Sequence, residues 1–208
     1  MRFLRILAVA AALSPLACAA QAATVDLSLN TSIGKAVTIS HPQAVATQVK
    51  ASSFHLTGSD GIGDFVAFCV DIANRLTLPN RYQIVRGNAK TAAVQALFDA
   101  NYSTVGLYNP NKSAAFQLAI WKTIYSDFSW SDAGSTVNNL TARYLRNAAS
   151  YQGPKIWNLT FLDGHKTQDL VTVDIPTEPA PVPLPAAGLL LLGGLGGLGL
   201  IARRRRAA

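Results

Sequence analysis

Cysteine is almost missing from this chain: its 208 residues hold two, Cys18 and Cys69. So few thiols exclude a disulfide framework, and no group of Cys and His residues has the spacing of a zinc site. No glycine-rich phosphate loop, nucleophile elbow or internal repeat is present either. Charged residues are sparse at 14%, although the formal net charge is +7. Arg2, Arg5 and Arg203 to Arg206 account for six of the eighteen Lys and Arg residues, which leaves twelve basic against eleven acidic residues between them. The basic excess therefore sits at the two ends, and the middle offers no basic surface for nucleic acid.

What is present begins with the ends. Arg2 and Arg5 precede an apolar stretch from Ile6 to Leu16 and small residues from Ala17 to Ala23. This is the layout of a secretory signal peptide over residues 1–22, with Ala20-Gln21-Ala22 fitting the small-x-small cleavage rule. In Pro15-Leu16-Ala17-Cys18 the Leu stands one place too near the Cys for a lipoprotein signal, so Cys18 is expected to leave with the leader. At the other end, residues 177–185 form a Pro-rich linker, followed by an unbroken apolar run over 186–202. At about 1.5 Å per residue the run reaches roughly 25 Å, short but usable as a single transmembrane helix. The cluster Arg203, Arg204, Arg205 and Arg206 should stay cytoplasmic within a tail of 203–208, placing the preceding domain outside the inner membrane.

The order of motif, helix and basic stop carries a resemblance. Val182-Pro183-Leu184-Pro185-Ala186, the Gly/Leu helix and the arginines closely resemble the VPLPA variant of the PEP-CTERM sorting signals. In that family a membrane protease, an exosortase, cuts near the Pro-rich motif and passes the protein outward. The resemblance implies an exosortase partner, a Gram-negative envelope and a setting beside exopolysaccharide. It gives an address and leaves the work of the domain open.

That domain, residues 23–176, is large enough to bury a core. Strands are expected at Thr24 to Leu29, Ala36 to Ser40, Ser52 to Leu56, Asp64 to Asp71 and Arg81 to Arg86, from β-branched and aromatic runs between turn residues. Helices are expected at Lys90 to Ala100, at Ser113 to Tyr125 with Ser113 as N-cap, and at about Ser135 to Ala149. Strands return at Lys155 to Leu162 and Gln168 to Ile175, joined through Asp163-Gly164 as a hairpin. Strands, then helices, then strands predict an α+β fold, mainly β-sheet with a helical insertion.

With the leader gone, Cys69 is a lone thiol in an exported chain: a buried small hydrophobe, an intermolecular bridge or a reactive sulfur. It lies in Phe68-Cys69-Val70-Asp71, and forty-eight residues on comes Phe116-Gln117-Leu118-Ala119-Ile120-Trp121. A thiolate that attacks a glutamine carboxamide expels ammonia and leaves an internal thioester, an acyl donor toward amines and hydroxyls. Such a bond lasts only where both residues are fixed and water is kept out. A strand end for Cys69 and a helix for Gln117 supply rigidity, and Phe68, Phe116 and Trp121 are placed to supply the screen. Asp71, two residues after the thiol, either orients the site or caps the strand.

Both halves together are similar to the paired signature of the thioester domains of bacterial surface adhesins. That resemblance implies a β-rich fold with helices between the motifs, a Cys69–Gln117 crosslink, and covalent capture of a partner nucleophile without turnover. Its best-known members stand on long stalks on Gram-positive walls. This chain has one short domain on a nine-residue linker, so a nucleophile in the surrounding matrix or on a neighbouring cell fits it better. A structural envelope or exopolysaccharide-matrix protein with an inert buried Cys69 is the rival expectation. A cysteine hydrolase would need His41, His55 or His165 beside the thiol. Gly58 to Asp64 holds only two acids and reads as a turn rather than a calcium loop. No metal or cofactor is implied.

Overall fold

A computed structural model describes residues 23–173 and 175. The leader at 1–22, the linker at 177–185, the motif Val182 to Ala186, the apolar run at 186–202 and the terminal arginines lie outside the described residues. Among the described residues no helix is long and apolar enough to cross a membrane.

The expected α+β architecture is what the chain adopts. Seven strands are described: β1 (Thr24–Ser40), β2 (Gln48–Gly58), β3 (Gly63–Cys69), β4 (Asn80–Arg86), β5 (Ser129–Ser131), β6 (Leu159–Gly164) and β7 (Leu170–Val173). They form an antiparallel sheet in the order β2-β3-β7-β6-β4-β1-β5. An additional antiparallel pairing of β1 with β2 returns the sheet on itself. Three helices, α1 (Ala89–Asn101), α2 (Pro110–Ile124) and α3 (Ser135–Ala149), fall between β4 and β6.

Where two strands were expected, Thr24 to Leu29 and Ala36 to Ser40, β1 is one strand of 17 residues. Its register against β2 shifts between Leu29 and Thr31, and residues 28–31 are exposed. A bulge and a solvated middle erase the alternation by which a sequence announces a strand. Gly34 is required within it, because a Cβ there would overlap the Ala51 carbonyl oxygen of β2.

Helix α2 starts earlier than expected. Asn109, not Ser113, is its N-cap: the Asn109 side-chain oxygen accepts from the amides of Asn111 and Lys112 at 3.0 and 3.1 Å, with Pro110 at the first turn. Ser113 lies inside the helix and is fully buried, donating to the Leu107 carbonyl at 3.1 Å and meeting Ser53 Oγ of β2 at 3.2 Å. Every residue from Ser113 to Trp121 is buried. A helix enclosed on all sides is central to its domain. Here α2 packs on β1, β2 and β3 with one side and on α1 and α3 with the other.

Two boundaries differ near the C-terminal strands. Residues 155–158 are not part of β6, because the amides of Ile156 and Trp157 donate to Asp99 Oδ1 of α1 at 2.9 and 3.0 Å instead of to a strand. Asp163 and Gly164 are the last residues of β6, opposite Gln83 and Tyr82, and the hairpin turns beyond them, with Lys166 at φ 60°. The short β5 had no sequence signal. Gly58 to Asp64 is, as read, the tight turn of the β2–β3 hairpin, and the two carboxylates bond locally to Ser59 and Thr57.

The core between sheet and helices is aromatic. Phe116 of α2 meets Phe68, Phe98 and Tyr144 with ring centroids at 5.1, 5.0 and 5.7 Å, each edge to face. Phe116→Ala should therefore lower stability by about 3–5 kcal/mol, read as a shift in the chemical-denaturation midpoint. A loss below about 1 kcal/mol would mean this ring is not the centre of the core.

Candidate functional site

Strand β3 alternates, so Phe68 and Cys69 face opposite ways. Phe68 points into the aromatic core, and Cys69 stands at the strand's last position, 1% exposed. On one side β3 is paired with β7, Cys69 opposite Leu170. On the other, its ladder to β2 ends at Ala67 opposite Phe54. Beyond that point the amide and carbonyl of Cys69 have no strand to bond to. A side chain takes the place of one. Gln117, fully buried on α2, accepts from the Cys69 N–H through Oε1 at 2.9 Å and donates to the Cys69 carbonyl through Nε2 at 2.8 Å.

The two halves of the motif, forty-eight residues apart, are thus in direct contact. The arrangement has a chemical sense. The Cys69 N–H lies where negative charge would develop on the Gln117 oxygen during attack at the carboxamide carbon, and the Cys69 carbonyl holds the nitrogen that would leave. Both halves of the Gln117 carboxamide are oriented by the peptide groups of Cys69.

The sulfur itself is held by a residue that the sequence did not announce. Cys69 Sγ donates to Gln168 Oε1 at 2.7 Å, and Gln168 Nε2 donates to the Asp71 carbonyl at 3.0 Å. Gln168 immediately precedes Asp169 and β7, and Cys69 is paired with Leu170, so the β3–β7 register is the signal that could have found it.

Asp71 was expected on the strand, but β3 ends at Cys69 and Asp71 lies in the loop beyond. Its carboxylate accepts from the Ala73 amide at 2.6 Å and from Asn74 Nδ2 at 2.8 Å, fixing that turn. Burial, more than any charge, pushes the Cys69 thiol well above its ordinary pKa, and the carboxylates of Asp71 and Asp169 push it further the same way. The nearest cation to Asp169 is Lys90, whose Nζ is 3.1 Å from its Oδ2.

Trp121 lies one turn after Gln117, 2% exposed, against Phe128 at 5.6 Å between rings. Its indole N–H is buried with no hydrogen-bond partner among the described residues. None of the three imidazoles hydrogen-bonds to Cys69. His41 pairs with Asp127 at 3.0 Å, His55 reaches the Leu107 carbonyl at 3.3 Å, and His165 borders a separate depression with Tyr82 and Asp163. Among the described residues no group of acids, histidines and cysteines could hold a metal.

Comparison with known proteins places this geometry in a fold. The chain matches no protein-family model and no curated protein sequence. Its structure is similar to the N-terminal thioester domain of a surface protein from Clostridium perfringens, with a TM-score of 0.50 and 10% identity, covering 72% of this chain and 98% of that one. The N-terminal domain of the Streptococcus pyogenes pilus tip adhesin Cpa aligns at a TM-score of 0.44 and 12% identity, over 67% of this chain and 93% of that one. The N-terminal thioester domain of the fibronectin-binding protein SfbI from the same organism aligns at 0.38 and 13%, over 66% and 91%. At such identity the first likeness is one of fold, a thioester-type domain.

The raised thiol pKa makes a prediction. Where Cys69 is free, its alkylation in the folded chain at about pH 8 should be far slower than in the unfolded chain, and should climb with pH as thiolate forms. Asp169→Asn removes one of the charges that raise it, so the thiolate should form at lower pH and alkylation at fixed pH should be faster. An unchanged rate in Asp169→Asn would show that the Asp169 charge does not act on the thiol.

Proposed function

We propose that Cys69 and Gln117 form an internal thioester and that the chain is a covalent binding module, acting once without turnover. The observation that carries this is the reciprocal hydrogen bonding of the Gln117 carboxamide with the Cys69 peptide, in a buried site of thioester-domain fold. In the forming step the Cys69 sulfur bonds to the Gln117 carboxamide carbon, the carbon–nitrogen bond breaks, and the nitrogen leaves as ammonia with the thiol proton. In the capture step an amine or hydroxyl takes the acyl group, its proton passes to sulfur, and the Cys69 thiol is released. Trp121, which borders the same groove as Cys69, shields the bond from water. Phe68 faces away from Cys69 and packs with Phe116 in the aromatic core, where the two rings hold β3 and α2 together rather than screen the sulfur.

The remaining parts of the proposal rest on sequence. The leader exports the chain, the apolar run holds it in the inner membrane, and an exosortase recognises Val182 to Ala186 and hands it to the surface or matrix of a Gram-negative cell. The partner is a nucleophile on that surface or in that matrix.

A second reading has its own observation. The thiol proton is engaged by Gln168 and its pKa is raised, as suits an inert Cys69 in a structural matrix protein. One experiment separates the two. The intact mass of the purified chain, beside its Cys69→Ala variant, should be short by one ammonia, and methylamine should add to Gln117 and free the thiol. A full mass with no amine adduct would establish the inert reading. Fragment mapping that placed the crosslink on Gln168 would keep the chemistry but move the acyl source.

A further inference from the structure

Cys69, Gln168 and Trp121 border an open groove of about 340 Å³, within the size range of small-ligand sites. Its charged lining residues are Lys50 and Arg75, both exposed, and no carboxylate lines it. Lys50 Nζ spends two donors on Ser32, at 2.7 Å to the carbonyl and 2.9 Å to Oγ, both neutral, and forms no ion pair among the described residues, although it also borders the depression lined by Asp132. Arg75 forms no ion pair among the described residues. Asp132 lines the neighbouring depression and is held by Thr38 and Ser131. The rest of the lining includes the neutral amides of Gln48 and Asn74.

Trp121 borders the same groove, and its indole N–H is buried without a hydrogen-bond partner among the described residues.

Resting on the thioester reading, we infer that this groove is the acceptor subsite and that it selects a hydroxyl of a carboxylate-bearing polysaccharide. Two cations without an ion pair among the described residues draw in a polyanion and repel the ammonium of a protein lysine. A sugar hydroxyl carries no charge to be repelled, and the side-chain amides of Gln48, Asn74 and Gln168 suit its oxygens. The transfer balances as a thioester exchange. The hydroxyl oxygen bonds to the Gln117 acyl carbon, the carbon–sulfur bond breaks, and the hydroxyl proton ends on Cys69, leaving a glutamyl ester.

The test offers the full purified chain three polymers: polygalacturonate, dextran, and polyglutamate bearing one lysine. Polygalacturonate should conjugate at least about tenfold faster than dextran, in a linkage that hydroxylamine cleaves, and the advantage should fall with added salt. That preference should collapse in the Lys50→Gln/Arg75→Gln chain. Equal rates on dextran, or faster acylation of the lysine-bearing polyglutamate, would overturn the assignment. If the parent chain shows neither the ammonia deficit nor a methylamine adduct, it is the thioester that fails. The groove is then judged on Cys69→Ala alone, by calorimetric binding of oligogalacturonate with and without the two Gln substitutions. Binding that the substitutions leave intact would refute it.

Discussion

The structure turns on one side-chain amide. Strand β3 continues past the end of its ladder with β2, so the N–H and carbonyl of Cys69 arrive in the interior with no backbone partner. Such groups are rarely left unpaired, since each carries the full cost of desolvation. Gln117 satisfies both at once. In doing so it sets the height and rotation of α2 against the sheet, because a helix that presents Gln117 to Cys69 presents Phe116 to Phe68 and Phe98. Ser113 repeats the device one turn earlier on β2. The fold's most central helix is thus registered by two polar contacts, and the aromatic core fills in around them.

The same contact puts stability and reactivity in opposition. Water must be excluded for an acyl–sulfur bond to last, yet exclusion of water is what disfavours a thiolate. Asp71 and Asp169 deepen that penalty for the free thiol. On the proposed reading the opposing help is geometric: the Gln117 carboxamide is held by the Cys69 peptide, and Gln168 fixes the direction of the sulfur. A site of this kind depends on orientation rather than on a high concentration of thiolate.

Much of this was legible in the sequence because its information is local. Phe68-Cys69 and Phe116-Gln117 each occupy a single turn or pleat, and an apolar helix containing one Gln has few places to put it. The general α+β order was legible for the same reason, since each element keeps its own periodicity. What escaped depends on pairing between distant segments. Gln168 reaches the thiol only through the register of β7 on β3, ninety-nine residues away in sequence. Residues 155–158 look like strand but give their amides to Asp99, and β1 hides its continuity behind a bulge and a solvated centre. Asn109 was passed over as a cap because the apolar spacing of α2 becomes visible only a turn later.

Access to the site runs past the sulfur. Cys69 and Gln168 border the groove, whereas Gln117 does not, being sealed between α2 and the sheet. On the proposed reading, a nucleophile bound for the Gln117 carbon would come in over the Cys69 side, past Gln168, which bonds to the thiol and to the Asp71 carbonyl. In the proposed thioester the sulfur would have no proton to donate, so one of those two bonds would be gone. The loop that Asp71 fixes and the glutamine it orients then have less to hold them closed over the acyl group than over the free thiol. On that reading, the bond that stores the reactive group would also loosen the cover through which a partner would reach it.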